Sequence, residues 1–254
     1  MACLLWNCRG IGPSNTIRAL RNYIAKHDPC IVFLMETKQK KNKLNRIRNR
    51  FHFSEGFYVD PIGRSGGLAL WWKEEVNITI LSATKNFIDA SISMNDGLQW
   101  FCTFIYGCPN SEGKKEVWNT ISKLRNGDEE PWCLMGDSNV IISQDEKIDG
   151  SPFVARYDDP FQTLMDNHGL FEMPLKGGPF TWSNKRSDEA SILEKIDRIL
   201  FNIQWNSLHP KALGLIEPAM GSDHSPLIFL LKGRMGCPCN GLKRNKTSQE
   251  TGPF

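Results

Sequence analysis

Two packed, mixed β-sheets flanked by helices are the fold class this sequence predicts, and three observations predict it. Apolar runs of strand length recur along the chain. Helical patterns fall between some of them at irregular intervals, where a doubly wound parallel fold would alternate strand and helix. The 254 residues, 40% apolar, suffice for one large core or two small ones. No internal repeat is present.

In chain order, residues 3–6, 31–35, 68–72, 100–106, 132–135, 192–201 and 226–231 form apolar runs bounded by turn residues and read as strands. Alternation through Val76, Ile78 and Ile80, and again through Ile88, Ala90, Ile92 and Met94, predicts half-buried strands with polar outer faces. Ser14 reads as the N-cap of a helix over 15–26 that places Ile17, Leu20 and Ile24 on one side. Further helices are predicted over 112–124 and 160–167. From Gly233 the pattern turns to Gly, Pro, Lys and Asn without apolar periodicity. This predicts a folded domain at 1–232 and a flexible tail at 233–254.

No apolar run approaches the roughly 20 residues of a bilayer-spanning helix. The opening Met-Ala-Cys-Leu-Leu-Trp-Asn has no basic stretch ahead of a signal-type apolar segment. The expectation is an intracellular protein, nuclear or cytoplasmic, with no membrane partner. Cysteines at 3, 8, 30, 102, 108, 133, 237 and 239 form no Cys-x-x-Cys pair and lack histidines at zinc spacing, so they read as reduced, mostly buried thiols.

The formal net charge of +3 belongs to the end of the chain: residues 232–254 carry five of the 31 Lys and Arg and one of the 28 Asp and Glu, leaving 26 basic and 27 acidic residues elsewhere. Bulk charge thus gives no argument for nucleic acid, and any basic surface is local. The candidate is 38–50, with seven Lys or Arg and no acid. Led by Lys38, Lys40, Lys41 and Lys43, it reads as a solvated helix face or as a DNA-attracting stripe.

The pattern that carries chemistry is positional, because polar residues end one apolar strand after another. Leu4-Leu5-Trp6 runs into Asn7, residues 31–35 run into Glu36, and residues 132–136 run into Asp137 and Asn139. Asp223 and His224 stand at the opposite end, ahead of 226–231. Suitable strand directions would bring all of them to one sheet edge. Asp137 and Asn139, two apart, share a face in extended backbone and could hold a water and a phosphate oxygen; the other reading is an Asp-Ser-Asn turn. Asp197 lies on the apolar face of Leu193, Ile199 and Phe201, so it needs a partner, either His224 or a Lys or Arg. With His224 it would orient the imidazole and stabilise its protonated form. Glu36 is a metal ligand or a strand's polar end. If Asn7 and Asp223 converge on it, the all-oxygen set suits magnesium better than zinc.

Trp-Asn-Cys-Arg-Gly at 6–10, Met-Glu-Thr-Lys at 35–38, Tyr-Gly-Cys-Pro at 106–109, Gly-Asp-Ser-Asn at 136–139, Lys-Ile-Asp-Arg at 195–198 and Ser-Asp-His at 222–224 resemble, in order, the motifs of the endonuclease/exonuclease/phosphatase (DNase I-like) superfamily. Each is weak alone; together in sequence order they are strong. Trp-Asn-Cys-Arg-Gly, Gly-Gly-Leu-Ala-Leu-Trp-Trp at 66–72, Asp-Glu-Lys at 145–147 and Phe-Thr-Trp-Ser-Asn at 180–184 look like the endonuclease domains of plant non-LTR (LINE-type) retrotransposons in particular. The likeness spans 2–232. It implies a four-layer α/β sandwich that nicks one strand of DNA, using magnesium or manganese and no obligate protein partner. It further implies that Glu36, with Asn7 and Asp223, holds the metal, that Asp137 orients or deprotonates the attacking water, and that Asn139 and Tyr106 contact the phosphate. His224, held by Asp197, would stabilise charge developing on the phosphoryl oxygens.

Three positions depart from the superfamily pattern. Arg9 stands where apurinic-site repair enzymes carry an acidic residue, which argues against that repair role. Ser138 stands where Phe is usual, and an unfilled cavity there would cost roughly 3–5 kcal/mol. Val140 replaces a usual acidic residue. Two rival functions are weighed: a phosphatase acting on inositol phosphates or lipids, disfavoured by Lys195-Ile196-Asp197-Arg198 in place of Trp-Cys-Asp-Arg, and an inactive retroelement remnant that at most binds nucleic acid. The intact Glu36, Asp137, Asn139, Asp197, Asp223 and His224 weigh against the remnant.

Overall fold

The computed structural model describes residues 1–94, 97–127, 129–155, 158–187 and 190–231. The expected tail at 233–254, with Cys237 and Cys239, lies outside the described residues. The chain runs through β1 (Ala2–Asn7), α1 (Ser14–His27), β2 (Ile31–Met35), α2 (Lys41–Arg50), β3 (Glu55–Val59), β4 (Leu68–Trp72), β5 (Asn77–Ala83), β6 (Phe87–Ser93), β7 (Gln99–Tyr106) and α3 (Ser111–Ser122). It continues through β8 (Trp132–Asp137), β9 (Lys147–Ile148), α4 (Pro160–Asn167), β10 (Phe171–Glu172), β11 (Leu175–Lys176), β12 (Trp182–Ser183), β13 (Leu193–Glu194), β14 (Asp197–Phe201), α5 (Ile203–Leu208), β15 (Leu213–Ile216) and β16 (Leu227–Leu230).

Two mixed sheets stack face to face. The first has the order β11-β15-β16-β1-β2-β4-β3 and the second β10-β14-β8-β7-β6-β5, with a small third sheet β12-β13-β9 beside them. Side-chain alternation divides each strand between two cores. In β1, Cys3 and Leu5 face the space between the sheets, where they meet Phe33, Leu70 and Phe229 of their own sheet and Ile88, Phe104, Met135 and Ile199 of the other. Leu4 and Trp6 face outward, against Leu20 and Tyr23 of α1 and Leu44 and Ile47 of α2. On the far side Ile105, Leu134 and Leu200 pack under Val117, Trp118 and Ile121 of α3 and Phe161 and Leu164 of α4. The result is a four-layer α/β sandwich.

Several expectations change on folding. The N-cap of α1 is Pro13, with no side-chain cap bond, so the helix opens at Ser14 itself. The expected polar outer face of β6 is buried: Asp89 accepts from Thr103 Oγ1 at 2.8 Å and pairs with Arg125 at 3.1 Å, and the Arg125 guanidinium lies 4.1 Å from the centroid of Phe101. The single strand expected over 192–201 is two, in different sheets. It breaks at Ile196, whose carbonyl accepts from Ser138 N at 2.8 Å and Ser138 Oγ at 2.7 Å. That bond also answers the departure at 138. Ser138 is fully buried and receives Val140 N–H at 3.2 Å, so the hydroxyl latches the end of β8 to the start of β14 where a cavity was expected. Val140 is buried, and its carbonyl accepts from Arg198, whose charge is met by Glu146 and by Glu172 at 2.9 Å. Among the described cysteines all are free and all but the half-buried Cys108 are buried. No helix among the described residues is long and apolar enough to cross a membrane.

Candidate active site

The inward phase of the alternation continues past the apolar run in four strands. Cys3 and Leu5 lead to Asn7, Cys102 and Phe104 to Tyr106, and Cys133 and Met135 to Asp137, while Asp197 precedes Ile199 at the start of β14. Strands β1 and β2 are parallel, as are β7 and β8, and β14 and β16 run antiparallel to β8 and β1. Strand ends and strand starts therefore meet at one edge, between the two sheets.

Register sets Asp137 opposite Asp197, a pairing of like charges that is unfavourable unless relieved. The relief is His224, whose Nδ1 lies 3.0 Å from Asp197 Oδ2 and whose Nε2 lies 3.9 Å from Asp137 Oδ2. Burial alone would lower the pKa of His224, but Asp197 and then Asp137 raise it to about 9, so the ring carries a proton on both nitrogens at neutral pH. Burial and the Asp197 charge push Asp137 up to about 7, against the pull of His224 and Asn7. Asp137 Oδ1 accepts from Asn139 N at 2.9 Å and Oδ2 from Asn7 Nδ2 at 2.9 Å.

Asn7 crosses between the sheets, because the same Nδ2 reaches Glu36 Oε1 at 3.2 Å. Alternation alone would send Glu36, next after Met35, to the helix-covered face; its φ of 49° breaks the alternation and turns it toward Asn7. Arg9, Lys38 and Asn139 also have φ near 50° (45°, 51° and 53°), so left-handed backbone, uncommon for residues other than glycine, gathers around this edge. Lys38 Nζ lies 2.9 Å from Glu36 Oε2. Burial would raise the Glu36 pKa, but Lys38 and Asn7 hold it below the usual carboxylate range. Burial, then Glu36 and Asp137, push the Tyr106 phenol far above its ordinary value, so it stays protonated.

The expected site residues thus divide. Asn7, Glu36, Tyr106, Asp137, Asn139, Asp197 and His224 gather at one edge. The Asp-Ser-Asn turn and the site reading hold together, for the positive φ of Asn139 closes the turn while its Nδ2 donates to Gly107 O at 2.9 Å. Asp223 pairs with Arg9 and accepts from Trp182 Nε1 at 3.0 Å. Asn7 presents its NH₂ to both carboxylates, while its carbonyl oxygen accepts from Arg9 N at 3.2 Å. Lys40, Lys41 and Lys43 are exposed at the start of α2, whose Leu44 and Ile47 are buried; Lys38 is half-buried on Glu36.

Sequence reasoning gave no role to Thr181, Trp182 or Ser222. Buried Thr181 accepts from the N–H of Ile196 (3.1 Å) and Asp197 (3.0 Å), fixing the carboxylate beside His224. Ser222 Oγ donates to Asn7 O at 2.8 Å and accepts from His224 N at 3.2 Å. Backbone bonds Ser183 N to Asp223 O (3.1 Å) and Ser225 N to Thr181 O (2.7 Å) bind the two segments together. The motif spellings at 180–184 and 222–224 were the available signal.

Glu36, Asp137, Asp197 and Asp223 outnumber the cations Arg9, Lys38 and protonated His224 that face them, and hard oxygen donors of this kind fit a divalent cation. Asp137, Asp197 and His224 bring three ligand atoms within 4.8 Å of one another. A doubly protonated imidazole has no lone pair for a metal, so carboxylate oxygens are the groups here that could hold one.

The sequence pattern described as "Endonuclease/Exonuclease/phosphatase family" matches residues 4–224. No curated protein is similar to the chain in sequence. Among solved structures, the endonuclease domain of TRAS1, a telomere-specific non-LTR retrotransposon, matches with a TM-score of 0.67 at 13% identity, over 92% of this chain and 99% of that one. AP endonuclease LMAP from Leishmania major matches with a TM-score of 0.71 at 13% identity, over 92% and 88%. TDP2 from D. rerio, complexed with a single-strand DNA product, matches with a TM-score of 0.61 at 16% identity, over 90% and 97%. At these identities the likeness is one of fold.

Proposed function

Because the chain belongs to the endonuclease/exonuclease/phosphatase family, we propose that it hydrolyses phosphodiester bonds of DNA, nicking one strand, with magnesium or manganese held through Glu36. The observation that carries this reading is the Asp197–His224 pair aimed at Asp137 across 3.9 Å, at the edge where Glu36 and Tyr106 also lie. Retrotransposon origin rests on the motif spellings and accords with the TRAS1 fold.

Each side chain has a task that follows from its setting. Asp137, with a pKa near 7 and both oxygens anchored, accepts the proton of the attacking water close to neutral pH. Protonated His224 directs its Nε2–H at a phosphoryl oxygen, and Asp197 prevents the ring from turning or losing its charge. Tyr106, kept as the neutral phenol, donates to the same phosphate, and Asn139 contacts it from the Gly107 side. A divalent cation held by Glu36 would supply charge neutralisation to the phosphate. Exposed Lys40, Lys41 and Lys43 add sequence-independent attraction for the DNA backbone.

Conversion of supercoiled plasmid to the nicked circle tests the reading, using wild type and Glu36→Ala with magnesium, with manganese and with excess EDTA. Metal-dependent nicking lost in Glu36→Ala is expected. Undiminished nicking in EDTA, or by the variant, rules out the metal role of Glu36. Phosphate release from a phosphomonoester without nicking would point to the phosphatase, and DNA binding without either reaction to the remnant.

A further inference from the structure

We propose that Arg9 binds a phosphate of the DNA backbone at the lip of this site, and that Asp223 is the residue that positions it. The inference rests on the nuclease reading above and assigns Asp223 a task other than the metal ligation its motif implied.

Asp223 has committed partners. Its Oδ2 accepts from Trp182 Nε1 at 3.0 Å and from Arg9 Nη1, and Ser222 Oγ lies 3.3 Å from its Oδ1. The carboxylate is only 11% exposed, and burial would raise its pKa, but Arg9 and His224 hold it below the usual carboxylate range. The backbone on either side of it is tied to the 181–183 segment and, through Ser222, to Asn7. Asp223 also precedes His224 directly, so whatever it grips stands at a fixed offset from the imidazole.

What it grips is a cation with capacity to spare. The Arg9 side chain is 49% exposed, and the backbone N–H of Arg9 is held by Asn7 Oδ1 at 3.2 Å. A guanidinium carries five N–H donors, and among the described residues only Nη1 is hydrogen-bonded. Arg9 is tied by its side chain to Asp223, next to His224, and by its backbone to Asn7, so it stands beside the site, where Glu36 and Tyr106 feel its charge. An exposed ion pair adds little to stability. A pre-oriented guanidinium with its fork open matches the two non-bridging oxygens of a phosphate better than an ammonium would. Contacts of this kind set the register of a nuclease on its strand without reading bases.

The test compares wild type, Arg9→Ala, Arg9→Lys and Asp223→Asn, each checked for folding by circular dichroism. Binding of a fluorescent duplex is measured by anisotropy in EDTA across a salt series, and nicking with magnesium is measured on the same preparations. Arg9→Ala should reduce the slope of log affinity against log salt by about 1 and weaken binding about tenfold, with the loss of nicking read mainly in KM. Arg9→Lys should recover the slope and less of the affinity. Asp223→Asn should raise KM while calorimetric titration with Mn²⁺ stays as in wild type. A wild type that neither binds nor nicks DNA overturns the nuclease reading and this one with it. A wild type that nicks, beside an Arg9→Ala that keeps both slope and KM, overturns the role of Arg9 alone. Loss of Mn²⁺ binding in Asp223→Asn restores Asp223 to the metal and overturns its positioning role.

Discussion

Replacing Asp137 by Asn should abolish nicking and change how the fold responds to pH. Asp137 is fully buried opposite Asp197, and its pKa rises from 3.8 to about 7. A carboxyl whose folded pKa is raised contributes stability that is complete below the unfolded value and lost as pH climbs through the folded one. The window is therefore roughly pH 4 to 7. At about 1.4 kcal/mol per unit, wild type should lose about 2–3 kcal/mol from this group between pH 4.5 and 6.5, a loss absent from a side chain that does not titrate. His224 does not interfere, since its own window opens near 6.5 and closes near 9. The amide also sets an NH₂ against Asn7 Nδ2, costing about 1–3 kcal/mol, but that cost is the same at every pH. Urea unfolding of both proteins without metal, at pH 4.5, 5.5 and 6.5, isolates the slope. Stability curves that run parallel would mean that Asp137 ionises in the fold as readily as in the unfolded chain, and the argument for a base tuned to neutrality would fail.

Three further outcomes are expected. His224→Ala and Asp197→Ala should each slow nicking by roughly 10²- to 10⁴-fold, and the double variant should be little slower than either single one because the two act as a unit; strictly additive losses in folded proteins would show that they do not. Of the two, Asp197→Ala should harm the fold more, since it leaves a buried imidazole unpaired, and comparative thermal unfolding reads this. Changing Lys40, Lys41 and Lys43 together to Ala should flatten the salt dependence of DNA binding, and an unaltered slope would reduce α2 to a solvated face. Ser138→Ala should lower stability by about 1–3 kcal/mol in urea unfolding, because Val140 N–H and the Ile196 carbonyl lose a buried partner; an unchanged midpoint would mean that the latch is dispensable.

Much of this site was legible in the sequence because strand alternation is local. A period of two needs no knowledge of the rest of the chain, so Asp197 could be seen on an apolar face and Asn7 and Asp137 at the ends of apolar runs, while Tyr106 came only with its motif. The same local logic required a partner for Asp197, and His224 at the head of the last strand supplied one at 3.0 Å. It also misled wherever a neighbour distant in sequence decides. Asp89 looked like an outward polar residue, yet Arg125, 36 residues later, buries it. Residues 192–201 looked like one strand until Ser138 claimed the carbonyl of Ile196. Ser138 looked like a missing aromatic until its hydroxyl met the carbonyl of Ile196, 58 residues later. The turns at Glu36 and Lys38 have no sequence signature at all, since left-handed backbone at a Glu and a Lys is imposed by surroundings such as the bonds from Thr37 N and Lys38 N to Gly67 and Gly66. Asp223 shows the division most sharply. The motif resemblance singled it out without showing what it touches, and only the tertiary structure brings Arg9, 214 residues earlier in the chain, within its reach.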